Sequence, residues 1–223
     1  MLWRYKYDRY GWTSRSSQIY ESKLLRIGSP LFHCGLLMAM GGHFIGLVVP
    51  ESLTTKMGIS EHLYHLVAVA MGSVAGVMVV CGMAILIYRR RTVLRVFQVT
   101  TKMDKLMYVV LGTLVALGVY NTIGINLLNI PGKFAGGYNY RETIAVWFRS
   151  VAQFNPRADL MMNAPLSFQL HAIASMALIA IIPITRLVHI FSAPIGYLSR
   201  PYLVYRKRTP KKMRRGWEPT RVG

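Results

Sequence analysis

The sequence predicts an all-α integral membrane protein, a helical bundle with four transmembrane helices, and three observations carry that prediction. Of its 223 residues 53% are hydrophobic and only 16% are charged, and mean hydropathy is positive, a balance foreign to an ordinary soluble domain. Four apolar runs are each long enough to cross a hydrocarbon core of about 30 Å, which takes about 20 residues of helix. The net charge of +19 comes from 27 Lys and Arg against 8 Asp and Glu, and the cations cluster in the segments that flank the apolar runs. That distribution reads as membrane topology, with lipid as the surrounding medium and no nucleic acid as partner.

The elements follow in order. Residues 1–27 form a basic N-terminal segment with Arg4, Lys6, Arg9, Arg15, Lys23 and Arg26. The spans are expected over 28–49, 63–88, 106–128 and 166–193. Arg89, Arg90, Arg91, Arg95, Lys102 and Lys105 separate the second from the third. A basic tail, 194–223, ends the chain. By the positive-inside rule these three basic regions are cytoplasmic, so both ends of the chain as given face that side. The outer connection holds turns at Pro131, Gly132, Gly136 and Gly137, then Ile144, Trp147, Phe148 and Val151 at helical spacing, which predicts a short amphipathic surface helix over 143–154. Cys34 and Cys81 lie within apolar runs and read as buried small hydrophobes, not as a disulfide or metal site.

Four histidines interrupt these apolar runs: His33 and His43 in the first span, His171 and His189 in the fourth. An ionisable group inside a bilayer is costly and marks function, and neutral imidazole is a common ligand of haem iron. His171 and His189 are 18 residues apart, about five whole turns and about 27 Å of ideal helix, so both project from one face. His33 and His43 are 10 apart, about 15 Å and about 80° short of whole turns. The Gly41-Gly42 pair and Pro183 are candidates to absorb the mismatch. Because the two spans run in opposite directions, depth pairs His43 with His171 toward the outside and His33 with His189 toward the cytoplasm. Gly42 and nearby Gly46 leave room for a flat macrocycle. Arg186, one turn before His189, and Arg91 at the same depth are candidate partners for haem propionates.

The segments LFHCGLLMAMGGHFIGLVVP, SFQLHAIASM and TRLVHIFSAPIGYLSR, with RYGWTSRSSQ before them and QFNPRADLMMNAP on the outer side, resemble the gamma subunit of respiratory nitrate reductase across nearly the whole chain. The resemblance implies a multi-pass cytochrome b of the bacterial or archaeal cytoplasmic membrane, with two haem b groups and a cytoplasmic C-terminus. His43 and His171 would bind the outer haem iron, His33 and His189 the inner. Quinol, menaquinol or ubiquinol, would be oxidised on the outer side. Electrons would then pass to an iron-sulfur beta subunit and a molybdenum-containing alpha subunit that reduces nitrate in anaerobic respiration; this chain holds no cysteine cluster for such centres.

Members of that family usually carry five spans, whereas this chain opens with MLWRYKYDRYGW, which resembles the end of the family's first helix. Its first span is therefore expected to be missing, through a start further upstream or through loss, with all four ligands retained. A quinol site needs a proton acceptor near the outer haem, and His65, deeper than His62 at the start of the second span, is the candidate. Two alternatives stand beside this reading. One is the cytochrome b of another quinone-linked complex, such as a formate dehydrogenase or hydrogenase, whose histidine spacing differs. The other is a non-haem transporter or anchor, whose histidines bind metal, carry protons or bond neighbouring carbonyls.

Overall fold

The computed structural model describes residues 6–7, 17–130, 132–134 and 136–191. The basic tail expected over 194–223, and most of the N-terminal segment, lie outside the described residues. What is described is helical, without strands, and four of its helices are long and apolar enough to cross a membrane.

Helix α1 spans Lys23–Val48, beginning earlier in the chain than hydropathy predicted. Its first turn is fixed by Glu21, whose Oε1 accepts the Leu24 N–H at 2.8 Å. The other carboxylate oxygen takes Arg89 from the far end of the second long helix. Arg89 is 3% exposed and also donates to Ser17 Oγ and to the Ser17 and Glu21 carbonyls. Its charge is therefore spent inside the fold. A short helix α2, Glu51–Lys56, leads into α3, Glu61–Thr92, which Ser60 caps by accepting the Leu63 N–H.

Antiparallel α1 and α3 pack through small residues. A Cβ on Gly82 would lie 2.5 Å from Phe32 N, one on Gly35 2.8 Å from Met78 Cβ, and one on Gly28 2.8 Å from Ile85 Cγ2. Such close backbone approach is what small residues on facing sides give membrane helices, where lipid is as apolar as a side chain and dispersion must hold the pair together. After α4, Leu94–Gln98, helix α5 runs Lys102–Val119 from a capping box in which Thr101 and Asp104 satisfy each other's backbone N–H. It continues as a π-helix over Tyr120–Leu127. There the Asn126 side chain donates to the Asn121 carbonyl at 2.8 Å.

The connection between the third and fourth spans contains α6, Ile144–Ala152, close to the amphipathic helix expected, and α7, Ala158–Met162, which the sequence reading did not find. Arg141, 2% exposed, fastens this connection to the bundle: it donates to Glu61 at 2.8 Å and Thr54 Oγ1 at 3.0 Å and lies 3.9 Å over the Tyr64 ring. Beside it, burial raises the Tyr140 hydroxyl above its ordinary pKa, and Tyr64 reinforces the shift.

The fourth span departs from expectation. Helix α8 covers only Leu166–Ile181; beyond it the chain turns through 3-10 segments at Ile182–Ile184 and Arg186–Ile190. Pro183 has no N–H to give to the helical ladder, which accounts for the break. His189 thus stands on a 3-10 turn and not on a continuous helix, and its direction is not set by counting five α-turns from His171. Helix α8 packs on α5, α5 on α3 and α3 on α1, but α8 and α1 lack extensive backbone packing. Cys34 and Cys81 are unpaired and exposed on the outside of the bundle, facing the apolar medium and not buried in the protein as expected.

Candidate functional site

The gap between α1 and α8 is where the four histidines meet. His43 and His171 have ring centroids 5.9 Å apart with planes 21° from parallel; His33 and His189 are 6.1 Å apart with planes at 73°. An imidazole nitrogen binds a metal at about 2 Å, so two rings on opposite sides of one ion stand with their centres about 6 Å apart. Three of the four rings are oriented through Nδ1 by a carbonyl one turn back: His33 by Ser29 at 2.7 Å, His43 by Ala39 at 2.7 Å and His189 by Arg186 at 2.6 Å. A carbonyl can only accept, so in each of these rings Nδ1 carries the proton and Nε2 is the ring's acceptor nitrogen, the tautomer that a metal-ligating histidine needs. The fourth, His171 Nδ1, is buried near the Leu114 carbonyl without a hydrogen bond of good geometry.

These residues fit a haem. No group of three or more His, Cys, Asp or Glu that could hold a metal occurs among the described residues. The donor set is two imidazoles per position, which suits an iron whose remaining ligands come from a macrocycle. There is also room for a flat group: a Cβ placed on Gly41, Gly42 or Gly112 would meet nothing within 4 Å. Gly46 plays another part, because its Cβ would lie 2.5 Å from the Tyr140 hydroxyl; it admits the connection between the third and fourth spans.

Of the basic candidates, Arg186 is held in a bidentate pair by Asp104, Nε to Oδ1 at 2.6 Å and Nη2 to Oδ2 at 2.8 Å, which leaves Nη1 for a further anion. Arg91 is exposed at the end of α3. His65, half-buried on α3, faces Gly137 and lines a cavity of about 360 Å³ with Leu66, Ser73, Asn126 and Phe134. The volume lies within the range of small-molecule sites, which are mostly apolar with a few polar groups. His62 is exposed beside it and lines a smaller adjoining hollow.

Over residues 1–208 the chain matches the family described as nitrate reductase gamma subunit. The chain belongs to the nitrate reductase gamma subunit family. It is 42% identical to the nitrate reductase gamma chain of Bacillus subtilis over 93% of this chain and 90% of that one. It is 32% identical to the respiratory nitrate reductase 1 gamma chain of Escherichia coli over 92% of this chain and 88% of that one. A nitrate reductase-like protein NarX of Mycobacterium tuberculosis is 53% identical over 96% of this chain but only 33% of its own length. The gamma-subunit chain therefore spans about a third of that relative.

Several residues of this gamma subunit were not singled out by sequence reasoning. Gly118 on α5 lets the His171 ring lie against the helix, since a Cβ there would sit 3.0 Å from its Cε1. Ser73 Oγ is buried without a hydrogen bond, whereas Thr113 and Ser175 each donate to the carbonyl four residues back. Asp104, buried and ion-paired, lies in a cation-rich stretch where its sign was the only signal. The basic residues between the second and third spans also differ in how far they are committed within the fold. Arg89 is committed to Glu21, and Arg90 donates to Thr100 and lies 3.6 Å from Asp104; Arg91, Arg95, Lys102 and Lys105 remain exposed.

Proposed function

We propose that this gamma subunit is a quinol-oxidising dihaem cytochrome b that feeds electrons to a nitrate-reducing partner and does not reduce nitrate alone. The observation that carries the reading is the facing of His43 with His171 and of His33 with His189 at the spacing of axial ligand pairs. Haem b held by each pair supplies a one-electron iron couple. Gly42 keeps the surface of α1 open beside His43, and Gly118 lets His171 lie close to α5. Arg186 through Nη1, and Arg91, are the cations that propionates would meet.

The cavity beside His65 is the quinol site in this reading. His65 accepts the two quinol hydroxyl protons one after the other and releases each to the outer side, while the two electrons would leave singly to a haem held by His43 and His171, so that quinol becomes quinone. Ser73 offers an unspent hydroxyl along the same wall, eight residues on, which is about 12 Å of helix. The positive-inside distribution supports an orientation with His43, His171 and His65 toward the outside and His33 and His189 toward the cytoplasm. There an iron-sulfur beta subunit and a molybdenum-containing alpha subunit would dock on Arg91, Arg95, Lys102, Lys105 and the basic tail. The setting is the cytoplasmic membrane of a bacterium or archaeon.

The test is the absorption spectrum and haem content of the purified chain. Two b-type haems per chain, reducible by a menaquinol or ubiquinol analogue in the assembled complex, are the expected result. A chain without haem would leave a transporter or anchor as the remaining reading.

A further inference from the structure

We infer that Asp104 is a positioning residue for the His189 imidazole, acting through Arg186; the inference rests on the reading of His189 as an axial ligand. His189 is the one histidine of the four that does not stand on an α-helix, since α8 stops at Ile181 and the Pro183 break hands the chain to 3-10 turns. The i→i−4 ladder that holds the other three rings in register is therefore absent beneath it. What orients the ring is the 2.6 Å bond between its Nδ1 and the Arg186 carbonyl. What holds Arg186 is Asp104, through two parallel bonds of 2.6 and 2.8 Å that fix the guanidinium plane.

The carboxylate is itself immobile. It is 4% exposed, belongs to the first turn of α5, accepts the Thr101 N–H at 3.0 Å within the capping box, and has Arg90 3.6 Å away. A rigid helix, a bidentate ion pair and one carbonyl thus run in series to the ring that faces His33. A buried ion pair is a poor source of net stability, because desolvating both charges offsets most of their attraction; fixing register is the best attested reason to keep one. Here the registered element is a segment that has 3-10 hydrogen bonds in place of the α-helical ladder.

The experiment compares Asp104→Glu and Asp104→Asn with the unaltered chain in the assembled complex. It reads haem content and the electron paramagnetic resonance signals of the two oxidised haems, which report the mutual angle of the axial rings. Asp104→Glu keeps the charge but displaces the fork, so a shift in its inner-haem signal reports geometry and not lost charge. The expected result is a shifted or broadened signal from the His33–His189 haem in both variants, larger in Asp104→Asn, with the His43–His171 signal unmoved. An inner-haem signal unchanged in Asp104→Glu and Asp104→Asn would overturn the inference. So would equal loss of both haems in Asp104→Asn with an unshifted signal in Asp104→Glu, because the ion pair would then serve folding alone. If the unaltered chain holds two haems, a null result in the variants sinks the positioning role without touching the dihaem reading. An unaltered chain without haem overturns both.

Discussion

The His33 and His189 rings cross at 73°, edge to face, 6.1 Å apart. The other pair, His43 and His171, is nearly coplanar in orientation at 21° and 5.9 Å. Parallel axial rings overlap with one of the two out-of-plane iron d orbitals of π symmetry, whereas crossed rings overlap with both and leave them close in energy. Two distinguishable low-spin signals are expected in the oxidised protein, the more anisotropic one from the His33–His189 site. Electron paramagnetic resonance of the purified complex checks this, and a single type of signal for both haems would contradict it.

Substitution of single ligands separates the two sites. His171→Leu removes one member of the outer pair and leaves His33 and His189 in place. It should abolish one haem and quinol oxidation while a chemical donor still reduces the other. His189→Leu should spare the outer haem, permit its reduction by quinol and block turnover with nitrate. Haem content, quinol-driven haem reduction and quinol-to-nitrate turnover are measured on both. Normal turnover in His171→Leu would refute the assigned pairs.

His65 should matter at the quinol step and His62 should not. His65→Ala removes the group that lines the cavity against Gly137. The loss of a positioned general base corresponds to a roughly 10²–10⁴-fold fall in the quinol-dependent rate, with both haem spectra retained. His62→Ala is expected to stay near the original rate. Gly137→Val should mimic His65→Ala, because Gly137 has φ +92° and its Cβ would collide with the His65 ring. Stopped-flow reduction of the haems by a quinol analogue distinguishes these outcomes.

Close packing of α1 on α3 depends on Gly82. Gly82→Val forces branched carbons into a space where even a Cβ would lie 2.5 Å from Phe32 N and 2.7 Å from its Cα. Backbone cannot yield as a flexible side chain does, so destabilisation of about 1–3 kcal/mol or more is expected. A lower thermal midpoint in detergent, with reduced haem retention, is the measurable result.

Acid should loosen the junction before α1. Burial raises the Glu21 pKa, but hydrogen bonds from the Leu24 N–H and Arg89, with the Arg89 charge, outweigh it and leave the carboxyl below its ordinary value of 4.5. A carboxyl depressed in the folded state contributes stability that is complete above its unfolded pKa and disappears as pH falls through the folded one. Thermal midpoints measured between neutral pH and pH below 4.5 should therefore show an acid loss that Glu21→Gln reduces, since the amide carries no titration. Identical acid profiles for the two proteins would remove Glu21 from the account.

Hydropathy and charge sign are properties of the chain read in one dimension, and what depends on them was determined by the sequence. The four spans, the surface helix near 143–154 and the pairing by depth of His43 with His171 and of His33 with His189 follow from run length, residue spacing and chain direction alone. What depends on rotation about a helix axis or on a partner distant in sequence was decided only in three dimensions. The sequence assigned His189 to a continuous helix, yet the break at Pro183 puts it on a 3-10 turn. Arg186 looked like a free cation until Asp104, far off in the chain, took two of its nitrogens. Gly46 faces Tyr140, Cys34 and Cys81 face outward, and Ser73 opens on the cavity beside His65. Periodicity cannot foretell these arrangements, because in an apolar medium the buried and exposed faces of a helix are equally hydrophobic and close packing, not polarity, selects which side turns inward.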